Sequence, residues 1–252
     1  MILYLRTFGV AVAAMIFLVG CETAPITGRS QLILMGDEQV EALGLQAYQE
    51  MKKEKPLSND QALNRRIQIV GRNIARISPK PDWNWEFNLF EDDSPNAFAL
   101  PGGKVGVNTG LFKVAKNDAQ LAAVIGHEVA HAIARHGAER MSQGQLAQAG
   151  GAAVAVATGS EAYVGAYGAL AQLGFMLPNS RVQESEADHI GLLFMAEAGY
   201  DPREAVHLWE NMEAAGAGGQ LEWLSTHPSP DNRIRRLQEL MPEAMAIYQR
   251  KG

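Results

Sequence analysis

Cysteine occurs once in these 252 residues, at Cys21. No disulfide forms within such a chain, so its stability rests on a packed core, helped by any metal it binds. Basic residues are outnumbered, 22 Lys and Arg against 28 Asp and Glu, for a net charge of −6. With no basic stripe, that balance argues against a nucleic-acid partner. No apolar run is long and uninterrupted enough to make a comfortable membrane span. No internal repeat is visible. What remains is a chain that is 47% hydrophobic, suited to one globular domain with a sizeable core. Its many Ala, Gly and Met residues point to a helix-rich fold.

The N-terminus reads as a targeting segment. Arg6 precedes the short apolar run Val10–Val19, which is followed by Gly20 and Cys21. The run suits a signal-peptide core. Leu18-Val19-Gly20-Cys21 resembles a bacterial lipobox, in which cleavage precedes a cysteine that carries lipid. The expectation is a signal peptide over 1–20, a lipidated tether over 21–36 and one main domain over 37–252. Lipid on Cys21 implies attachment to a bacterial cell-envelope membrane. Glu22 after the cysteine favours the periplasmic face of the outer membrane over the inner one. The plainer alternative is an ordinary secretory signal or anchor helix with a chance cysteine.

The densest chemistry lies in His127-Glu128-Val129-Ala130-His131. Residues four apart on a helix differ by about 400°, so both histidines lie on one face. Two imidazoles one turn apart supply half of a tetrahedral zinc site. Glu128, beside the first, is placed to take a proton from a metal-bound water. Asn117-Asp118 offers a helix start, and Leu121, Val124, Ile125, Val129 and Ile133 recur at helical spacing. One helix from about Asp118 to Met141 is expected. His136, nine residues from His127, would face away as a surface or packing residue. The metzincin pattern wants glycine at 134 and histidine at 137, where this chain has Ala134 and Gly137.

Around this segment the chain reads as helices near 37–55 and 60–77, a strand over 83–90, and a hairpin of 96–100 and 104–107 about Pro101-Gly102-Gly103. Residues 141–179 are rich in Ala and Gly. They read as closely packed helices or, alternatively, as a flap over the cleft. Further helices follow near 181–198, 202–215 and 231–241.

A catalytic zinc wants a third protein ligand. Glu184 and Asp188 share one face of their helix, whereas Glu186 points away from both. Glu184 is the candidate ligand and Asp188 the group that holds a ligand histidine's free ring N–H. A solvated acidic face is the bland alternative.

These two motifs are joined by Asn96-Ala-Phe-Ala-Leu-Pro-Gly-Gly103, Ala198-Gly-Tyr-Asp-Pro202 and Thr226-His-Pro-Ser-Pro-Asp-Asn-Arg233. Together they resemble metallopeptidase family forty-eight, the gluzincins grouped with HtpX and the CAAX-prenyl endopeptidases. The likeness runs from about residue 37 to 240. Lacking multiple spans, the chain looks most similar to the BepA-like periplasmic lipoprotein members. The resemblance implies an α+β fold, mainly helical, with a small sheet whose edge strand lines the cleft. It implies one Zn2+ held by His127, His131 and Glu184, with Glu128 as general base. Asn96, Ala97, Phe98 and Ala99 would pair with an extended substrate. His227 and Arg233 would lie near the cleft, binding substrate, stabilising the oxyanion, or holding the enzyme latent. Without the family, His227 reads as a plain turn histidine.

The implied activity is zinc-dependent endopeptidase action on misfolded or unassembled envelope proteins. Partners would be protein substrates, a membrane met through lipid, and envelope assembly machinery. A latent, chaperone-like assembly factor is the first alternative. A lipoprotein whose metal only stabilises the fold is the second, and Glu128 argues against it.

Overall fold

The computed structural model describes residues 21–158, 179–216, 222–227 and 232–250. The expected signal peptide and most of the second half of the Ala/Gly-rich stretch lie outside the described residues.

Two strands, β1 (Cys21–Thr23) and β2 (Ser30–Leu32), pair antiparallel, Cys21 opposite Leu32. The segment expected as a tether is therefore folded. Ile33 and Met35 are buried with Val40, Ala138 and Met141, and their apolar surface is what seats the segment on the domain. Helices α1 (Asp37–Glu54) and α2 (Gln61–Ile77) follow. Asp60 caps α2, its carboxylate accepting from the Ala62 and Leu63 amides, which satisfies two of the orphan donors at a helix start.

The second sheet has the order β3 (Glu86–Phe90), β5 (Lys104–Asn108), β4 (Ala97–Leu100). β4 and β5 are the expected hairpin, with Ala97 opposite Val107. Gly102 and Gly103 turn it at φ 80° and 82°, a left-handed conformation that glycine takes without a Cβ penalty. β3 joins β5 in parallel and is shorter than expected, because residues 83–85 precede the ladder. β4 is left at the edge.

A short 3-10 turn (Thr109–Lys113) leads to α3 (Asp118–Ile133), capped by the Asn117 side chain accepting from the Gln120 amide. The single helix expected to Met141 breaks here. Ala134 closes α3, Arg135 takes a left-handed φ of 61°, and α4 (His136–Thr158) starts in a new direction. After it come α5 (Arg181–Glu197), α6 (Arg203–Gly216), α7 (Glu222–Thr226) and α8 (Arg233–Gln249). Ser180 and Gln183 form a capping box on α5, two reciprocal bonds that fix where the helix begins.

α3 runs through the middle of the core, buried along nearly its whole length. Its neighbour across the site is α5. Gly126 and Gly191 meet at that crossing, where a Cβ on Gly191 would come within 2.7 Å of the His127 nitrogen. Two small residues let the helices approach closely enough for side chains one turn away to converge. No described helix is long and apolar enough to cross a membrane.

Candidate metal centre

Four buried groups converge between α3, α5 and the end of α7. Ligand atoms of His127, His131, Glu184 and His227 all lie within 4.8 Å of one another. Nε2 of His131 is 3.0 Å from Nε2 of His127 and 3.2 Å from a Glu184 oxygen. His127 Nε2 lies 3.4 Å from the other Glu184 oxygen. Two imidazoles and a carboxylate with their lone pairs facing one point are a zinc donor set. The buried Oε1 of Glu128 has no hydrogen-bond partner. It is the orphaned acceptor that a metal-bound water would satisfy.

The charges behave as metal-free ligands should. Burial works against a charged His127, yet the Asp188 and Glu184 carboxylates beside it raise its pKa to about 9. Burial carries His131 the other way, well below its ordinary value, although Glu184 pulls against it. Burial would raise Glu184, but the two rings hold it far below the carboxylate range. A divalent ion held by these groups would compete with protons for them. Glu128 is raised, mainly by burial. A general base needs a pKa nearer neutrality than a solvated carboxylate has.

Asp188 lies beside His127 and Arg233. One oxygen is 3.0 Å from His127 Nδ1, off the line of a hydrogen bond; the other accepts from Arg233 Nε at 2.6 Å. Arg233 differs from the expectation of a catalytic group. Its guanidinium is buried, donates to Glu184 at 2.5 Å and lies 3.7 Å over the Trp209 ring. It holds two carboxylates behind the site and does not line the cleft.

The cleft has a volume of about 260 Å³ and opens between β4 and α4. Asn96, Ala97, Phe98 and Ala99 all line it, with Glu128 and His131 at its floor. The Ala99 backbone hydrogen-bonds to Glu128. Cys21 is not among the lining residues.

His227 stands over the metal position. Its Nδ1 is 3.0 Å from Glu184 and 3.4 Å from His127 Nε2, and its Nε2 is 3.5 Å from Glu128. The Trp223 ring stacks on it at 4.3 Å, tilted by 21°.

Two residues escaped the sequence reading, and a third was placed differently. Asn179 lies 3.4 Å from His227 Nδ1 and accepts from Arg140; both line the cleft. His136, expected to face away, is fully buried with its Nδ1 2.7 Å from that of His131. The bend at Arg135 swings it back. A positive φ at a non-glycine residue has no signature in a helical pattern.

Comparison with known proteins agrees with this geometry. Residues 61–241 match peptidase family M48. The mitochondrial metalloendopeptidase OMA1 of Schizosaccharomyces pombe is 37% identical over 88% of this chain and 67% of its own length. The human metalloendopeptidase OMA1 is 33% identical over 90% of this chain, which spans 47% of it. The β-barrel assembly-enhancing protease of Escherichia coli is 29% identical over 84% of this chain and 46% of its own length. The mitochondrial enzymes are thus more similar than this bacterial one, against the expected nearness to BepA-like members. They also overturn the expected localisation. A lipid-anchored place at the bacterial outer membrane rested on a four-residue lipobox and on that nearness, whereas relatives aligned over nine-tenths of the chain are eukaryotic and mitochondrial. What the relatives share with this chain is the enzyme itself. With a buried donor set able to hold zinc and an edge strand along the cleft, this chain belongs to peptidase family M48 and is a zinc-dependent metalloendopeptidase.

Proposed function

We propose that the enzyme cuts unfolded segments of protein substrates and rests in a latent state in which His227 occupies the fourth position of the metal site. The carrying observation is the placement of His227, within reach of Glu184, His127 and Glu128 at once. A catalytic zinc keeps that position open for water and substrate. A ring there, stacked on Trp223, competes with both.

Substrate class follows from β4. As an edge strand along the cleft, it offers backbone groups to another extended chain. Only a segment free of its own secondary structure can add to that edge, so unfolded or unassembled protein is the fitting substrate. Asn96 to Ala99 then lay the scissile bond over Glu128.

Zinc, when bound by His127, His131 and Glu184, polarises the scissile carbonyl and acidifies the attacking water. Glu128 accepts the proton of that water at Oε1 and returns it to the leaving nitrogen. Its burial keeps the proton from bulk water between the two steps. Asp188 and Arg233 hold His127 and Glu184 in register.

The test is casein cleavage by the full chain with zinc content measured on each variant. Glu128→Gln should hold zinc and cut nothing. His227→Ala should hold zinc and cut faster than wild type. Cleavage by Glu128→Gln at the wild-type rate refutes the base assignment. Unchanged cleavage by His227→Ala refutes latency.

A further inference from the structure

The two ligand histidines are supported differently. A carboxylate oxygen of Asp188 lies 3.0 Å from the Nδ1 of His127. Among the described residues, no carboxylate does this for the Nδ1 of His131. Its Nδ1 meets His136 Nδ1 at 2.7 Å. His136 Nε2 in turn lies 3.0 Å from Glu186 Oε2. Glu186 accepts from Arg29 Nε at 2.5 Å and from the Thr27 hydroxyl. Arg29 also reaches Glu139 with both terminal nitrogens, at 2.9 and 2.8 Å. All of these side chains except Thr27 and Arg29 are buried. Thr27 and Arg29 belong to the turn between β1 and β2, more than 100 residues before His136 in sequence.

The protons in this chain of groups have one consistent arrangement. A carboxylate only accepts, so His136 Nε2 must donate to Glu186. A neutral His136 then has a bare Nδ1, which accepts from His131 Nδ1–H. That leaves the lone pair of His131 on Nε2, the atom aimed at His127 and Glu184. Were His136 turned or absent, His131 would be free to place its proton on Nε2 and lose its metal-binding tautomer.

We propose that Arg29, Glu186 and His136 are positioning residues of the zinc site, through which the N-terminal hairpin fixes the tautomer and orientation of His131. Arg29 is the keystone because it bridges Glu186 and Glu139, tying the hairpin to α4 and α5 together. This inference rests on the assignment of His131 as a zinc ligand. It gives the hairpin a part in metal binding, beyond covering apolar surface.

The experiment is chelator competition for zinc on the full chain, alongside melting of the metal-free protein. The variants are Glu186→Gln, His136→Phe, Arg29→Lys and Asp60→Ala. Groups that orient a metal-bound histidine change affinity by about 10- to 100-fold. Glu186→Gln and His136→Phe should each weaken zinc by that factor, and Arg29→Lys by less, since it keeps the charge. Asp60→Ala is the control. It removes the cap of α2 and should lower the melting temperature, but it touches no member of the relay and should bind zinc as wild type does. The visible spectrum of the cobalt-substituted protein should shift for the first two variants and not for the control. If all four weaken zinc equally, or if none does, the relay is wrong. Should Glu186→Gln not fold, Arg29→Lys and His136→Phe decide alone, and wild-type affinity in both overturns the proposal. If wild type itself binds no zinc, the metal assignment falls rather than the relay.

Discussion

Replacing Gly191 by alanine tests whether the crossing of α3 and α5 sets the metal geometry. The added Cβ would lie 2.7 Å from the His127 nitrogen and 2.9 Å from its Cα, where ordinary contact begins at 3.4 Å. Those are backbone atoms of a fully packed helix, so no side chain can rotate away. The helices must part by about 0.7 Å, the shortfall between those distances. Zinc–ligand distances hold to within about 0.2 Å. Glu184 on α5 would therefore leave the reach of an ion held by His127 and His131 on α3. Overpacking costs about 1–3 kcal/mol, and each kcal/mol lowers the melting temperature of a protein this size by about 2–4 °C. A fall of several degrees without metal is expected, with zinc affinity weaker by about 10-fold or more. Gly71→Ala is the matched control. Its Cβ would strike the Phe87 ring at 2.4 Å, against the sheet rather than the site. It should destabilise without changing zinc affinity. The reasoning fails if Gly191→Ala destabilises yet binds zinc as tightly as wild type, or if both variants lose zinc alike.

Other consequences are as direct. Trp223→Leu removes the ring stacked on His227, so casein cleavage should rise toward the His227→Ala rate; no rise would mean the stack does not hold the latch. Arg233→Met strands the buried Glu184 and Asp188 carboxylates. Breaking a buried pair costs about 3–5 kcal/mol, to be read from denaturant unfolding of the metal-free protein, and a loss under 1 kcal/mol would show the pair to be unimportant. At Asp92, burial works to raise the pKa, but hydrogen bonds from Lys55 and Ser94 outweigh it and bring it from 3.8 to about 2. A depressed carboxylate stabilises the fold above its unfolded pKa and loses that contribution as pH falls through the folded value. The melting difference between wild type and Asp92→Asn should thus be full near pH 5 and vanish toward pH 2. A difference that persists at pH 2 would contradict it.

Much of the site was legible because it is local. His127 and His131 share a face by helical period alone, and so do Glu184 and Asp188. The hairpin was legible from two glycines after a proline. What period cannot show is which helices meet. Arg233 was misread as a cleft residue because its motif places it near the site without saying on which side; the fold puts it behind Glu184. The tether was misread because Thr, Pro, Gly and Ser dominate residues 22–30, a composition shared by linkers and by tight turns between short strands. Only Ile33 and Met35 hint that the segment seats on a core.

His136 shows why some errors are unavoidable from sequence. A continuous helix would carry it to the face opposite His127. The break depends on Arg135 accepting a left-handed φ, which costs an L-residue about 1–2 kcal/mol. That cost is met from far away in sequence. The Arg135 guanidinium reaches Asp37 at 2.7 Å, the Met35 carbonyl at 3.3 Å, and Glu22. All three belong to the N-terminal segment or to the first turn of α1. The same segment holds Glu186 through Arg29. One stretch of chain therefore both stabilises the bend that brings His136 to His131 and anchors the carboxylate that orients it. Local patterning reads α3 and α4 as one helix because the residues that divide them lie about a hundred positions upstream.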